Sequence, residues 1–410
     1  MDVSLLVFAA VYVVMVLGRV PRTGLDRTGA ALLGAIVLLG SGALGLDAAW
    51  RAVDPGTLGL LLGLMLVSAQ LRLGGFYTAL TTWLAARPTS PPRLLAELVL
   101  TVGVLSAVLT NDVVCLAVAP VLAEVCVRRG LDPVPFLLGL AAAANVGSAA
   151  TLIGNPQNIL IGQGLHLDFG RYLLAGGVPA LLGLVVVWWI LVRAYRGRFE
   201  RSLALAGRQP HAHDRRASRK ALLVLSLLVA GLLACPLPHG VQALLAGGLM
   251  LLSRSRRTGD LLAQVDWPLL VLFTGLFVVN GALQQAGHAA TAFAWLREHG
   301  VDVREPATLF AASVVGSNVL SNVPLTMLLV PTVGDAPLAG PILALATTLA
   351  GNLLLVGSIA NLIVVEQALR LGIAPAGRSW ANEHWRTGVP ITLATLGLAA
   401  GWLWLGSAVG

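Results

Sequence analysis

One polar segment interrupts a long apolar stretch in the last third of the first half of the chain. Residues 145–158 begin and end with asparagine and contain Gly154, Asn155 and Pro156 in succession. Proline lacks a backbone N–H and clashes with the preceding turn, so a helix must break here. At bilayer depth an unwound backbone is tolerated only inside protein or beside a water-filled cavity. This pattern predicts a binding site, with an ordinary packed kink as the alternative.

A second interruption lies upstream, where Thr110, Asn111 and Asp112 divide the apolar residues 94–127. Hydroxyl and amide groups offer neutral donors and acceptors, and helix N-termini add about half a positive charge each. A carboxylate near the bilayer midplane costs at least about 2.5–3.5 kcal/mol on insertion scales. We therefore predict that Asp112 binds a proton or a cation. The alternative is that it only caps the helix that follows.

The second half of the chain repeats these interruptions in the same order. Residues 307–333 are divided at Ser321 and Asn322, and residues 341–371 are divided between Gly357 and Asn361. Gly357 and Asn361 follow Gly154 and Asn158 at one constant interval. Two apolar halves with matching polar breaks indicate an internal repeat.

The composition identifies the class of protein that must position these segments. Of 410 residues, 57% are hydrophobic and 11% are charged, whereas soluble domains average about 25% charged residues. Several apolar runs exceed the roughly 20 residues that span a hydrocarbon core. We therefore predict an all-α polytopic membrane protein, with the lipid bilayer as its surroundings.

The net charge of +8 does not indicate a nucleic-acid partner. The basic residues concentrate in short hydrophilic loops, as orientation signals do in membrane proteins. The three cysteines lie in apolar segments without CxxC spacing, so neither a disulfide framework nor a metal site is predicted.

Placing the basic loops in the cytoplasm predicts the topology. Arg93 and Arg129 then flank residues 94–127 on the same side, so this segment must re-enter rather than cross. Each arm has about 15 residues, or roughly 22 Å of helix, which passes the midplane of a core about 30 Å thick. The first half has five spans, an odd number, so the second half starts from the opposite face. We predict two inverted repeats, with about ten transmembrane helices plus two re-entrant hairpins.

The predicted boundaries follow from these breaks. Residues 1–192 form the first repeat, with hairpin 94–127 and broken helix 134–165. Residues 193–220 form a cytoplasmic basic linker, and residues 221–410 form the second repeat, with hairpin 307–333 and broken helix 341–371. His211 and His213 in the linker could bind a metal, but a solvated loop is the preferred interpretation.

Two motifs in the first half resemble those of a known group of transporters. The segment LTNDVVC at residues 109–115, followed by Pro120, and the segment GSAATLIGNPQN at residues 147–158 carry the likeness. They resemble the arsenite-permease branch of the ion transporter superfamily, which also includes citrate transporters, divalent anion:sodium symporters and a group of sodium:proton antiporters. The resemblance covers nearly the whole chain.

The resemblance implies inverted repeats, frequent homodimers and an elevator-type movement of the hairpin-bearing domain. Sodium:dicarboxylate members of that superfamily carry Ser-Asn-Thr at both hairpin tips. Here the tips read TND and SNV, which weakens the expectation of a dicarboxylate site with two sodium ions.

The residues expected to bind the solute come from both halves of the chain. They are Thr110, Asn111, Asn155, Asn158, Ser321, Asn322, Ser358 and Asn361. The residues expected to bind the coupling ion are Asp112, Asn145, Gly154 and Gly357. No lysine or arginine lies in residues 94–127, 134–170 or 307–369, so binding is expected to rest on neutral donors and helix ends.

Other polar residues in apolar segments have simpler interpretations. Glu124 lies close to Arg128 near the end of its segment, and Glu366 precedes Arg370 at the spacing of a helical ion pair. Asn280 and Gln70 are expected to form hydrogen bonds between helices.

These features predict an ion-coupled secondary transporter of a small anion or oxyacid in the inner (plasma) membrane. Its coupling ion is sodium or a proton, and no other cofactor is expected. The alternative is a sodium:proton antiporter of the same fold, with Asp112 as the cation carrier. A passive channel would not move solute uphill. An intramembrane enzyme is not favoured, because the broken segments contain no histidine beside Asp112 and no HExxH, P-loop or GxSxG motif is present.

Overall fold

The computed structural model describes residues 2–20, 22–201, 213–252, 257–334, 336 and 338–409, which are almost entirely helical. Within these residues the first half of the chain forms ten α-helices, several of them short. They are α1 (Val3–Leu17), α2 (Arg27–Gly40), α3 (Leu46–Ala52), α4 (Pro55–Leu73), α5 (Phe76–Ala85), α6 (Pro91–Val108), α7 (Asn111–Arg128), α8 (Pro133–Ser148), α9 (Pro156–Gly164) and α10 (Phe169–Ala194).

The described residues of the second half form ten α-helices in the same order of long and short elements. They are α11 (Arg215–Ala234), α12 (His239–Leu251), α13 (Thr258–Leu262), α14 (Trp267–Gln285), α15 (His288–Glu298), α16 (Pro306–Leu320), α17 (Asn322–Val333), α18 (Ala339–Ala350), α19 (Ile359–Arg370) and α20 (Trp380–Val409). A 3-10 turn, Leu355–Gly357, lies between α18 and α19.

The all-helical fold and its apolar helices confirm the predicted fold class. Among the described residues, six helices are long and apolar enough to span a membrane by length and composition. They are α4, α6, α10, α11, α14 and α20. The other apolar helices have 10 to 17 residues, because breaks and tight loops interrupt the apolar runs that contain them.

The two predicted hairpins are divided close to the positions expected. Only Leu109 and Thr110 separate α6 from α7, and both are extended. In the second half, Ser321 alone separates α16 from α17. The first broken helix unwinds over residues 149–155. The second broken helix unwinds over residues 351–358. The sequence predicts a break that begins at Gly357, so the observed break starts several residues earlier than expected.

Corresponding helices of the two halves make reciprocal contacts. Helix α4 packs against α12, and α14 packs against α2. Helix α7 contacts α19, while α17 contacts α9, and α10 packs along α20. Each hairpin therefore contacts the helix that follows the break in the other half of the chain, which is α19 for the first hairpin and α9 for the second. This is the arrangement expected of two related repeats, whose boundaries and inverted orientation stay predictions.

Aspartates begin many of these helices. Within the described chain, seven aspartates accept hydrogen bonds from backbone N–H groups in the first turn of a helix, which is the usual role of an N-cap. They are Asp2, Asp26, Asp54, Asp132, Asp168, Asp214 and Asp266. Much of the small acidic complement of this protein is therefore structural.

Parts of the predicted linker, residues 193–220, form helix or hydrogen-bond to a neighbouring loop. Helix α10 ends at Ala194 and α11 starts at Arg215, so both ends of residues 193–220 are helical. The residues after α10 pair with the loop before α8, where Asp132 N–H donates to the Phe199 carbonyl at 2.8 Å. Burial raises the pKa of Asp132. Residues 202–212, including His211, lie outside the described residues.

Gly63 should be indispensable where α4 crosses α12. A Cβ at Gly63 would lie 2.1 Å from the Ala243 carbonyl oxygen, whereas a Cβ at Gly248 would meet nothing within 4 Å. We expect Gly63→Ala to destabilise the protein by about 1–3 kcal/mol, the usual cost of overpacking. Thermal unfolding in detergent measures this loss. Gly248→Ala is the matched control, and equal unfolding temperatures for the two variants would contradict the prediction.

Candidate functional site

Both hairpin tips, the start of α9 and the end of the second unwound segment meet at one small cavity. Its water-accessible volume is about 50 Å³, and one water needs roughly 10–15 Å³ of such volume. The cavity therefore holds a few waters or a solute of similar size. It is lined by Met15, Arg27, Asn111, Asp112, Pro156, Gln157, Leu269, Leu272, Ser321, Asn322, Val323, Pro324, Gly357, Ser358 and Ile359.

Asn111 holds the first hairpin tip against the broken helix of its own half. Its backbone N–H donates to the Gly154 carbonyl at 3.0 Å, and its side-chain Nδ2 donates to Asn145 Oδ1 at 3.0 Å. A Cβ at Gly154 would lie 2.3 Å from the Ser148 carbonyl oxygen, so only glycine fits there. Thr110 is buried at the tip, and its side chain makes no capping hydrogen bond.

The second hairpin tip has a strained backbone. Ser321 adopts φ 73°, a left-handed conformation that is rare for residues other than glycine and costs about 1–3 kcal/mol. Next to it, Asn322 Oδ1 accepts a hydrogen bond from Ser317. The Pro324 carbonyl, one turn into α17, accepts a hydrogen bond from the Tyr12 hydroxyl at 3.1 Å. Ser321 and Asn322 both line the cavity.

Two reciprocal hydrogen-bond groups join the halves behind the cavity wall. Asn145 Oδ1 accepts from Ser358 Oγ at 2.8 Å, and Asn145 Nδ2 donates to Asn361 Oδ1 at 3.2 Å. In the other group, Thr348 Oγ1 accepts from Asn155 Nδ2 at 3.2 Å and donates to Asn158 Oδ1 at 3.1 Å. The interval that relates Gly154 to Gly357 also relates Asn145 to Thr348. The two groups are therefore equivalent positions of the two halves.

The predicted site residues thus divide into two sets by position. Asn111, Asp112, Ser321, Asn322, Gly357 and Ser358 line the cavity. A second set lies behind its wall, comprising Thr110, Asn145, Gly154, Asn155, Asn158 and Asn361. Asn155 and Asn158 are fully buried, and Asn155 caps α9 by accepting from the Asn158 N–H at 2.8 Å. The second set can shape the site without facing the space inside it.

Asp112 differs from the capping aspartates. Its carboxylate lines the cavity, and it accepts no backbone N–H bond from α7 within the described chain. The same residues provide no arginine or lysine within ion-pairing distance of it. Asp266, at the start of α14, is near enough to interact with it electrostatically. These contacts do not support the capping interpretation.

The expectation that no fixed positive charge reaches the site is wrong. Arg27, the first residue of α2, lines the cavity. In the sequence, Arg27 belongs to a short basic loop that is far from both predicted hairpins. One local signal was present, since a basic residue in the first turn of a helix opposes the helix dipole. Three further residues are not in the predicted set: Gln157, which lines the cavity, and Thr348 and Asn352, which hydrogen-bond to the asparagines behind its wall.

The simpler expectations are met at several positions. Arg128 pairs with Glu124 at 2.5 Å, and Arg370 pairs with Glu366 at 2.6 Å. The Tyr12 hydroxyl donates to Asn280 Oδ1 at 2.9 Å, which joins α1 to α14. Gln70 is different, because its buried Oε1 has no hydrogen-bond partner among the described residues. Those residues also contain no cluster of metal-binding side chains.

Comparison with known proteins identifies relatives that cover between 77% and 98% of the chain. An uncharacterized transporter of Mycobacterium tuberculosis strain H37Rv is 31% identical, with 98% of each chain covered. The silicon efflux transporter LSI3 of Oryza sativa subsp. japonica is 28% identical, with 88% of this chain and 89% of its own covered. The inner membrane protein YbiR of Escherichia coli K12 is 29% identical, with 77% of this chain and 81% of its own covered.

A solved structure shares the fold. The YdaH transporter of Alcanivorax borkumensis, described as having an unusual topology, superposes with a TM-score of 0.57 at 17% identity. The match covers 100% of this chain and 99% of that one. The sequence profile of the citrate transporter family matches residues 11–350. With its interrupted apolar helices around a shared cavity, this membrane protein belongs to the citrate transporter family.

Proposed function

We propose that the protein is an ion-coupled secondary transporter that carries a small anion or oxyacid by elevator-type alternating access. The observation that carries this proposal is one cavity that is lined by both hairpin tips, by the start of α9 and by the end of the second unwound segment. Broken helices place helix ends and unpaired backbone groups beside a solute at the midplane, which is the general arrangement of secondary transporters. The protein would act in the plasma membrane, as a homodimer.

The size and lining of the cavity favour a small solute. Asn111, Asn322 and Ser358 offer neutral hydrogen-bonding groups, each contributing about 0.5–1.5 kcal/mol net. A volume of about 50 Å³ suits an oxyacid of a few heavy atoms better than a large carboxylate in this conformation. A relative named for silicon efflux supports the oxyacid class, while the family name supports organic anions.

A second candidate rests on Asp112. A carboxylate in the cavity without a described ion pair could carry sodium or a proton by itself, which would make the protein a sodium:proton antiporter. In the favoured proposal the same carboxylate binds the coupling ion. Both candidates place Asp112 on the transport path.

A panel of solutes in proteoliposomes tests the proposal. Citrate, arsenate, arsenous acid and silicic acid are supplied under imposed proton or sodium gradients. We expect uphill accumulation of at least one of them under one gradient. Proton release on adding sodium, with no uptake of any solute, would instead establish the antiporter.

The hairpin tips should be essential for this uptake. Asn111→Ala removes the bond to Asn145, and Asn322→Ala removes the bond to Ser317. We expect each to reduce the initial uptake rate at least 10-fold, which corresponds to about 1.4 kcal/mol, with near-normal expression. Asn382→Ala, at an exposed asparagine of α20, is the control. Wild-type uptake in both tip variants would exclude the tips from the site.

A further inference from the structure

Arg27 is the one basic residue among the described residues that line the cavity. Most of the polar lining comes from the hairpins and unwound segments, whereas Arg27 starts α2. Helix α2 packs against α1 and α14, and the Thr28 hydroxyl donates to the Pro268 carbonyl at 3.3 Å. Arg27 therefore belongs to a wall of the cavity that is separate from both hairpins.

The contacts of Arg27 leave most of its hydrogen-bonding capacity unused. Its Nε donates to the Met15 carbonyl at 3.0 Å, close to the end of α1. A guanidinium has five N–H donors in a planar fork. Within the described chain, the bond from Nε to Met15 is the one hydrogen bond that the Arg27 side chain donates. No described carboxylate lies within 4 Å of it. The side chain is only partly exposed, so a half-desolvated cation without a described ion pair borders the cavity.

We propose that Arg27 binds an anionic oxygen of the transported solute. The inference rests on the proposed transport function and narrows its substrate class to anions, with neutral oxyacids excluded as preferred substrates. The planar fork matches carboxylates and oxyanions by paired N–H bonds. Asp112 lines the same cavity and would repel an anion. A cation or proton that neutralises Asp112 would remove that repulsion, and this links anion binding to the coupling ion.

Four proteins are compared in proteoliposomes, namely wild type, Arg27→Gln, Arg27→Lys and Arg19→Gln. Arg19 is exposed in the loop between α1 and α2, just before the helix that Arg27 begins, so Arg19→Gln removes an equal charge without touching the cavity. Initial rates are measured against the concentration of arsenate and citrate, which are charged, and of arsenous and silicic acid, which are neutral near pH 7. Stabilisation of the detergent-solubilised proteins by arsenate or citrate is measured by thermal unfolding.

We expect the KM for the transported anion to rise at least 10-fold in Arg27→Gln, which corresponds to about 1.4 kcal/mol. Arg27→Lys should lie between this variant and wild type, because it keeps the charge and loses the fork. Arg19→Gln should match wild type, and only Arg27→Gln should lose thermal stabilisation by the anion. If Arg27→Gln does not fold, Arg27→Lys is used in its place, and we expect its KM for the transported anion to rise about threefold.

Two results would overturn the inference while leaving transport intact. One is an unchanged KM and an unchanged anion-induced thermal shift in the folded Arg27 variants. The other is a wild type that accumulates only the neutral solutes. Wild-type vesicles that accumulate none of the four solutes under either gradient would contradict the proposed function instead.

Discussion

Replacing Asp112 with asparagine should abolish gradient-driven uptake while the protein still folds and inserts. Asparagine keeps the size of the side chain and removes its charge, so a proton or cation can no longer bind there. An interaction with a charged group is worth up to about 3 kcal/mol, so we expect the driven rate to fall roughly 100-fold. Uptake with and without the proton or sodium gradient measures the loss, and solute exchange without a gradient should be less affected.

Glu124→Gln is the matched control for this experiment. Glu124 lies on the same helix, α7, but does not line the cavity and pairs with Arg128, whose side chain is 60% exposed. Exposed ion pairs contribute about 0–1 kcal/mol, so this variant should transport like wild type. Unchanged pH and sodium dependence in Asp112→Asn would remove Asp112 from the coupling mechanism.

Asn145→Ala should both destabilise the protein and abolish uptake. Asn145 makes four buried hydrogen bonds, to Asn111, Asn352, Ser358 and Asn361. Hydrogen bonds between membrane helices average about 0.6 kcal/mol and reach about 1.7, so we expect a loss of about 2–4 kcal/mol. The first hairpin tip and the second unwound segment would lose their shared anchor, so uptake should fall below detection.

Thermal unfolding in detergent and uptake in vesicles measure the two effects. Asn382→Ala removes an asparagine side chain from an exposed position and should change neither. Thr348→Val tests the equivalent position of the other half, because Thr348 joins Asn155 and Asn158. A normal unfolding temperature together with normal uptake in Asn145→Ala would show that the two halves are held together elsewhere.

The positions of the helix breaks could be predicted from local chemistry. Pro156 and the polar residues beside it interrupt a helix whatever surrounds them. The apolar runs and basic loops likewise indicate membrane helices without reference to packing. This is why the helices are interrupted close to the expected residues at Thr110, at residues 149–155 and at Ser321. The second broken helix unwinds earlier than predicted, after Ala350, where no proline marks the break.

The arrangement of side chains around the cavity could not be predicted in the same way. Asn155, Asn158, Ser321 and Ser358 are all short polar residues at breaks, yet only the two serines face the cavity. Which side of a broken helix faces the solute depends on how that helix packs against the other half of the chain. Three of the four side-chain partners of Asn145 lie more than 200 residues away along the chain, beyond the reach of any local pattern.

The sequence by itself determined an all-helical membrane protein whose apolar runs are interrupted at defined polar positions. These features follow from residue types and their short-range spacing. Only the tertiary structure decided that a basic residue reaches the cavity. Arg27 begins a helix outside both hairpins, and it lines the cavity because α2 packs against α1 and α14. The charge of the site is therefore set by long-range helix packing, while its helix breaks are set by local backbone chemistry.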